Sequence, residues 1–378
     1  MAKHGPLVEA HSRDKKQSLV TFVYKGNRKT KRVGIGGGIP IGTFPKPLTR
    51  LPRTHTSYRT EEVPSDSRIS YCYYPNYTPA PDRGGADEWA KWLRKNSVKP
   101  DPLYDNPYLG MTAFELPGAP KQIWVKKRSR VRSGEITQGE IHSRFQHRKR
   151  TFRVYTPALY NQDESECDVV VMFDGGVVDT LIPLPTVLDN LIAAGRIRPT
   201  IAMMINHDHE SRISDLVCNE SFAKSVVLEL IPWLRKNHRV SLKPERSVIC
   251  GQSLGGLMAA FIAMRYPQVF GNVLSQSGSF WYSKECRSMP LPPPFGAPTG
   301  WLTSEYVRSE RLPIKFYLDV GRFEQAIDTH QVVENRRLRD VLLAKGYDVT
   351  YVETSTGHDY LAWRETVADG LIALVGQG

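Results

Sequence analysis

The chain has 378 residues, of which 40% are hydrophobic and 10% aromatic, enough for one large domain or two smaller ones with buried cores. Its apolar runs are shorter than the roughly 20 residues that a membrane-spanning helix needs, and no apolar stretch follows the first basic residues as in a secretory signal. We therefore expect no membrane span, no export and a cytoplasmic location.

The formal net charge is +12, and much of it lies in two stretches, residues 3–32 and 126–150. Three explanations compete: a solvated basic face, a nucleic-acid contact, or attraction of an anionic small molecule. No DNA- or RNA-binding motif is recognisable, and no ladder of aromatic residues is interleaved with the basic ones. We therefore expect no nucleic-acid partner; a solvated face is the first interpretation and an anionic substrate the second. The sequence does not indicate an oligomeric state.

Five scattered cysteines give no sign of a metal site or of a disulfide framework, because no two of them form a C-x-x-C pair. They are Cys72, Cys167, Cys218, Cys250 and Cys286. Isolated buried thiols are the expectation, and no cofactor is predicted.

Short β-rich segments with proline and glycine turns fill the first third of the chain, after a loose basic tail at residues 1–17. The clearest are residues 18–24, 56–60 and 68–74. This pattern predicts a small β-sandwich over residues 18–120. The glycine tract at 34–38 is not a phosphate loop, because it lacks a Lys-Ser/Thr ending and Pro40 prevents a helix directly after it.

Beyond a proline-rich linker at 116–120, strands and helices alternate. Residues 168–173 form a continuous apolar run, typical of a strand buried on both faces of a sheet. The alternation continues to a last strand at 348–353 and a closing helix at 360–374. It predicts an α/β domain with a parallel sheet over residues 121–378.

The sequence Gly-Gln-Ser-Leu-Gly at residues 251–255 has the G-x-S-x-G pattern of a nucleophile elbow. Glycines two residues either side of the serine are needed because the turn from strand to helix is so sharp. An apolar strand segment precedes the pattern and an apolar helical segment follows it. Ser253 is therefore the predicted nucleophile; a plain glycine-rich turn is the alternative.

A serine nucleophile needs a base and an acid that orients the base, and in α/β-hydrolases these follow in the order serine, acid, histidine. His358 lies after the last predicted strand and is the predicted base. The histidines that fit this role less well are His207, His209 and His330. Glu324, after a turn that follows the strand ending near Asp319, is the preferred acid, and Asp319 and Asp328 remain alternatives.

The oxyanion of an acyl-transfer reaction needs two backbone N–H donors. The first is expected from Leu254, directly after the nucleophile. The second is expected from Gly176, in the Asp-Gly-Gly loop that follows the strand at 168–173. A glycine-rich turn with no such role is the alternative.

These motifs resemble the enterobactin esterase family, cytoplasmic enzymes that hydrolyse catecholate siderophore trilactones. In the second half of the chain the resemblance rests on residues 251–257, 266–271, 273–281, 173–175, 212–219 and 357–364. In the first half it rests on residues 64–71 and 101–103. It covers most of residues 50–375, in both predicted domains.

The resemblance implies an immunoglobulin-like N-terminal domain followed by an esterase-D-type α/β-hydrolase domain. The family's serine falls on Ser253, its histidine on His358 and its acid on Glu324. The resemblance also implies that Arg212 lines the substrate pocket.

A ferric triscatecholate would be a large aromatic anion, and its iron would belong to the substrate. We expect Arg212 and other basic side chains to pair with its charge, and Trp281 and Trp363 to stack on its rings. Membership of the hydrophobic core is the alternative for each tryptophan.

Some features depart from the family pattern: Leu254 replaces a larger aromatic residue, residues 76–100 and 289–300 look inserted, and the basic tail is extra. They leave open a carboxylesterase or amidase that acts on a feruloyl, acetyl or natural-product acyl group. A non-catalytic protein that binds an anionic ligand is a further alternative, although the order of serine, acid and histidine speaks against it.

Overall fold

The computed structural model describes most of the chain. The described residues are 5–40, 45–79, 91–92, 95–96, 98–104, 106–158, 160, 165–177, 180–208, 211–286, 299–326 and 330–377. His209, Asp328 and much of the two segments interpreted as insertions lie outside these ranges.

The N-terminal part consists of two antiparallel sheets. Its strands are β1 (Leu7–Ala10), β2 (Gln17–Lys25), β3 (Val33–Gly37), β4 (Lys46–Pro47), β5 (Thr49–Arg50), β6 (Thr56–Pro64), β7 (Arg68–Pro75), β8 (Pro107–Tyr108) and β9 (Met111–Glu115). One sheet has the order β1-β2-β6-β5 and the other β4-β3-β7-β9-β8. Val20 and Phe22 of the first sheet share one core with Ile35, Ile69 and Tyr71 of the second, so the two sheets form a β-sandwich.

Strand β1 lies within the segment that was expected to be a loose tail. Its backbone pairs antiparallel with β2, with Leu7 opposite Thr21 and Ala10 opposite Ser18. All of its residues are exposed, so pairing rather than burial holds it, and no alternation of apolar and polar residues reveals it in the sequence. The segment 1–17 is therefore not irregular throughout.

The C-terminal part contains one eight-stranded sheet with the order β10-β11-β13-β12-β14-β15-β16-β17. The strands are β10 (Glu135–Ser143), β11 (Arg148–Thr156), β12 (Asp168–Met172), β13 (Thr200–Ile205), β14 (Ser247–Gln252), β15 (Asn272–Gln276), β16 (Lys315–Gly321) and β17 (Asp348–Thr354). The strands from β12 to β17 are parallel, and β10 and β11 extend the sheet antiparallel. The domain boundary expected at residue 120 falls between β9 and β10 and stays a prediction.

Helices cover both faces of this sheet. They are α1 (Leu184–Ala193), α2 (Ser211–Leu216), α3 (Glu220–Ser225), α4 (Ile231–Asn237), α5 (Leu254–Arg265), α6 (Trp301–Arg308), α7 (Gln331–Ala344) and α8 (Tyr360–Val375). A π-helical segment, Val226–Leu230, joins α3 to α4, and short 3₁₀ turns lie at Gly175–Val177, Pro244–Arg246, Lys284–Cys286 and Arg322–Ala326.

Successive residues of the central strands point into two separate cores. Val169 and Val171 of β12 belong to a core that includes residues of α3 to α7, whereas Val170 and Met172 belong to a core with residues of α1 and α8. Every residue of β12 is buried, as expected for a parallel strand between two helical layers. The predicted fold class, an α/β-hydrolase domain preceded by a small β-sandwich, is confirmed.

The described cysteine side chains (Cys72, Cys167, Cys218 and Cys250) are buried, and none of them is in a disulfide. None of the helices in the described ranges combines the length and apolarity that crossing a bilayer requires.

Candidate active site

Ser253 lies at the sharp turn between β14 and α5, with the backbone angles φ +57° and ψ −120°. Such a positive φ is strained for a residue with a side chain, and two contacts accommodate it. The Ser253 amide donates to the Gln276 carbonyl at 2.9 Å. Gly251 leaves the space that the turn needs, since a Cβ there would overlap the backbone of Gly255. The hydroxyl and the Leu254 amide thereby lie at the N-terminus of α5, where the helix dipole favours negative charge.

The Ser253 hydroxyl contacts a second serine that the sequence analysis did not single out. Its Oγ lies 3.2 Å from the Oγ of Ser279, and either can donate. The Ser279 amide also donates to the Ser253 carbonyl at 3.0 Å. Ser279 is buried, so this pair fixes the hydroxyl from the side of β15. Motif spacing does not indicate the contact between Ser279 and Ser253, because the two serines lie 26 positions apart.

His358 and Glu324 form a direct contact at the edge of the sheet where the parallel strands end. The Nδ1 atom of His358 lies 2.7 Å from the Oε2 atom of Glu324. An ionised carboxylate can only accept, so Nδ1 carries the proton and Nε2 is the ring nitrogen that can accept one. The His358 side chain is 29% exposed and that of Glu324 fully buried, so one end of the pair faces the surface and the other is fixed in the interior.

Three donors hold the Glu324 carboxylate. Besides the His358 contact at Oε2, the Oε1 atom accepts from the Gly321 amide at 2.7 Å and from the Ser277 hydroxyl at 2.6 Å. The Ser277 oxygen in turn accepts from the indole N–H of Trp363 at 2.9 Å. The Trp363 ring also meets the His358 ring edge-on, with centroids 4.8 Å apart. Trp363 therefore packs against the imidazole and supports the carboxylate.

Asp319, the alternative acid, is also buried but has other partners. It is 1% exposed on β16, and its carboxylate accepts from the Gln276 side chain at 3.4 Å. Burial raises the pKa of the Asp319 carboxyl to about 7, well above its usual range. The structure thus brings Glu324 to His358 and leaves Asp319 beside Gln276.

Two other histidines are engaged elsewhere. His207 is buried, and its Nδ1 lies 3.1 Å from Asp215. Asp215 also binds the guanidinium groups of Arg148 and Arg150, so His207 belongs to a buried ionic cluster. His330 stands at the start of α7 with φ +52° and is exposed.

The loop after β12 is held by two arginines. Asp174, at φ +55°, binds Arg212 through both carboxylate oxygens, each at 2.7 Å. The carbonyl of Gly175 accepts from the guanidinium of Arg153. Because the C=O and N–H of a trans peptide point in opposite directions, this contact also fixes the direction of the Gly176 amide. Gly176 itself is exposed, with open space where a Cβ would stand.

Two of the three predicted substrate-binding side chains are buried. Trp363 is 4% exposed and Trp281 is 6% exposed, and the Trp281 indole donates to Gln331 at 2.6 Å. Stacking on a bound ring needs an exposed indole face, so burial supports the alternative interpretation, membership of the core. The Arg212 side chain is 32% exposed and remains accessible beside Asp174.

Among the described residues, no group of three or more histidine, cysteine, aspartate or glutamate side chains has a metal-binding arrangement. The strand ends carry instead the Ser253 hydroxyl and, at the same edge of the sheet, an imidazole bound to a buried carboxylate. This set can perform acyl transfer through a serine nucleophile.

Comparison with known proteins agrees with this chemistry. The model of the esterase family, described as "Putative esterase", matches residues 143–374. The iron(III) enterobactin esterase of Escherichia coli (strain K12) is 29% identical over 344 residues, which are 87% of this chain and 82% of the relative. The corresponding enzyme of Dickeya dadantii is 28% identical over 87% of this chain and 79% of its own. The resemblance to the enterobactin esterases is confirmed.

Solved structures extend the comparison to the fold. A Shigella flexneri enterobactin esterase, crystallised in the presence of enterobactin, superposes with a TM-score of 0.75 at 26% identity, covering 98% of this chain and 96% of that one. The ferric enterobactin esterase of Salmonella typhimurium has a TM-score of 0.79 at 24% identity, with the same coverage. A ferulic acid esterase matches 65% of this chain and 99% of its own, with a TM-score of 0.53 at 16% identity.

The buried Asp319 leads to a pH-dependent prediction. Burial raises the pKa of this carboxyl from 3.8 to about 7, so between these pH values the folded state holds a proton that the unfolded chain has released. The free energy of unfolding therefore falls as the pH rises through this window. Asp319→Asn, which stays neutral, should gain stability over the wild type between pH 5 and pH 8, by up to about 3 kcal/mol.

Urea unfolding of both proteins at the two pH values measures this gain. Asp348→Asn is the matched control, because the Asp348 side chain is 66% exposed and should give no such trend. An equal difference between Asp319→Asn and wild type at pH 5 and at pH 8 would contradict the prediction.

Proposed function

Because this chain belongs to the esterase family, we propose that it is a serine esterase whose substrate is a ferric catecholate trilactone of the enterobactin type, hydrolysed so that the iron is released. The observation that carries the chemistry is the 2.7 Å contact between His358 and the buried Glu324, at the same sheet edge as the Ser253 turn. The observation that carries the substrate is the similarity to enterobactin esterases along 87% of the chain.

We assign the steps of acyl transfer to these groups. Nε2 of His358 takes the proton from Ser253 as its Oγ attacks an ester carbonyl. The imidazolium, stabilised by Glu324, then gives this proton to the departing alkoxide, which leaves an acyl-enzyme. A water molecule attacks the acyl group by the same route and releases the carboxylic acid.

The carbonyl oxygen becomes negatively charged in the transition state, and the Leu254 and Gly176 amides are proposed to bind it. The Leu254 amide begins α5, where the helix dipole adds to the attraction. The direction of the Gly176 amide is fixed through Gly175 by Arg153, so it costs no reorganisation during the reaction. Attack requires the Ser253 hydroxyl to turn from Ser279 toward His358, a rotation about one side-chain bond.

Charge supports an anionic substrate. The chain carries a formal net charge of +12, and such a field attracts anions from solution. Arg212 is bound to Asp174 through its Nε and one terminal nitrogen, so the remaining N–H groups of this guanidinium can donate to a catecholate oxygen. Hydrolysis of one ester bond opens the trilactone ring and removes the preorganisation of the three catechols, so iron is held less tightly.

The second candidate substrate is a feruloyl or other acyl ester. It is favoured by a relative in Xylanibacter ruminicola, an endo-1,4-beta-xylanase/feruloyl esterase that is 27% identical over 47% of this chain and 26% of its own. The proposed chemistry is the same for both substrates. A cytoplasmic location, which the resemblance implies, completes the proposal.

Removal of the nucleophile tests the chemistry. Ser253→Ala should lower kcat on a p-nitrophenyl ester by at least about 10³-fold, because no acyl-enzyme can form. Ser304→Ala is the control: it removes a serine hydroxyl of α6 that donates to the Gly300 carbonyl, and it should keep wild-type turnover. Equal rates for wild type and Ser253→Ala would refute the assignment.

The identity of the acid gives a sharper comparison. Glu324→Gln should lower kcat by roughly 10²–10⁴-fold, because an amide at this position no longer stabilises the imidazolium. Asp319→Asn should leave kcat close to wild type, since its carboxylate contacts Gln276 instead of His358. The reverse ranking in the p-nitrophenyl ester assay would assign the role to Asp319.

The substrate is tested with a catecholate trilactone, both with and without iron, and with a feruloyl ester. Mass spectrometry should detect linear trimers that carry one added water, formed faster than ferulic acid is released. The reason is that the trilactone presents both the ester and the anionic groups that Arg212 can bind. Intact trilactone beside rapid feruloyl ester hydrolysis would select the second candidate.

A further inference from the structure

The β-sandwich touches the hydrolase domain at the loop that carries His358. The backbones of Gly38 and Gly357 are in direct contact, since a Cβ on Gly357 would overlap the Cα of Gly38. A Cβ on Gly38 would stand 3.1 Å from Ser70 Oγ and 3.4 Å from a carboxylate oxygen of Asp359. Glycine is therefore required at position 357, one residue before the imidazole, and a side chain at position 38 would be tightly packed.

A buried hydrogen bond lies beside the glycine contact. The hydroxyl of Ser70, on β7, donates to Oδ2 of Asp359. The other oxygen of Asp359 accepts from the Leu361 amide at 2.9 Å and so caps the start of α8. Ser70 is 1% exposed and Asp359 is 5% exposed, which makes an unpaired carboxylate there costly. The sandwich thus also holds the residue that directly follows His358.

Two more contacts hold the same loop and the turn that carries Glu324. The Arg68 amide donates to the Ser355 carbonyl at 3.2 Å. Phe323, the neighbour of Glu324, packs against the core of the sandwich, and its amide donates to the Thr356 carbonyl at 3.0 Å. The sandwich therefore contacts the loop 355–359 before and after the imidazole, and also touches the turn of its carboxylate partner.

We infer that the β-sandwich positions the catalytic base: Gly38 and Ser70 hold the loop 355–359 in the place that lets His358 reach both Glu324 and Ser253. This inference rests on the proposed role of His358. It gives Gly38, the last residue of the glycine tract 34–38, a purpose, because the absence of a side chain there leaves room for Gly357, Ser70 and Asp359. Gly38 and Ser70 act through the loop and are positioning residues.

This role differs from substrate binding by the sandwich. A surface that only recognised a large substrate would leave the hydrolysis of a small ester unchanged. A surface that positions the base should affect every substrate, whatever its size. The difference can therefore be measured with p-nitrophenyl acetate, which is too small to need an extended binding surface.

The experiment changes the sandwich alone and measures chemistry in the full chain. Ser70→Ala should lower kcat on p-nitrophenyl acetate by about tenfold, and Gly38→Val by about 100-fold, because displacement of the base by about 1 Å costs this much. KM should stay close to wild type. The rate at which a small fluorophosphonate modifies Ser253 should fall in parallel with kcat, since that reaction needs the same base.

Ser18→Ala is the matched control. It also removes a serine hydroxyl of the sandwich, one that lies 2.8 Å from Ser65 and far in sequence from the loop, and it should keep both rates. Thermal unfolding of each variant confirms that the measured protein is folded. If Gly38→Val does not fold, Ser70→Ala alone decides.

Wild-type kcat in folded Ser70→Ala would overturn the inference, as would a loss confined to KM or an equal loss in Ser18→Ala. Failure of the proposed function looks different: Ser253→Ala would then hydrolyse the ester as fast as wild type, whatever the sandwich variants do.

Discussion

A buried carboxylate that must be fully hydrogen-bonded organises the site. Glu324 is 0% exposed, and an ionised group in such a place is unfavourable unless donors surround it. Its donors come from three separate elements: the end of β16, the residue after β15 and the loop before α8. The hydrogen-bonding requirement of one side chain therefore fixes the relative positions of three strand ends, and the imidazole is oriented as a consequence.

Backbone strain is concentrated at the same edge of the sheet. Asp174, Ser253 and Ser277 all have φ between +48° and +57°, and each follows closely after a parallel strand. A residue with a side chain adopts this conformation only where its surroundings enforce it. Here, backbone hydrogen bonds from the Ser253 amide to Gln276 and from the Ser277 amide to Asp319 do so. The chain turns sharply at each of these strand ends. The turns place the Ser253 hydroxyl, the neighbouring backbone amides and the Ser277 hydroxyl that donates to Glu324 at the same edge of the sheet.

Local sequence predicts those parts of the site that depend on local geometry. The serine turn needs glycines at fixed offsets, and acid and histidine follow particular strands, so order and spacing select Ser253 and His358 and favour Glu324 over Asp319 and Asp328. The fold class followed from the alternation of strands and helices. Strand β1 escaped detection because its residues are exposed and only its backbone pairing holds it.

Contacts between distant segments could not be predicted in this way. Trp363 and Ser277 are 86 positions apart, and nothing in either neighbourhood indicates that an indole will donate to that hydroxyl. The sequence around an aromatic residue does not tell whether its ring faces a ligand or the core. The burial of Trp281 and Trp363 could therefore be recognised only in the folded structure. The contact between Ser70 and Asp359 spans 289 positions and joins two domains.

The junction of the two domains links the position of the imidazole to the orientation of the sandwich. The backbones of Gly38 and Gly357 are in direct contact, because a Cβ on Gly357 would overlap the Cα of Gly38. Flexible side chains across an interface can absorb a small rotation, whereas two backbones in contact and a buried hydrogen bond cannot. The sandwich therefore holds the loop that carries His358 by its backbone, which is how an added domain can set the position of the imidazole.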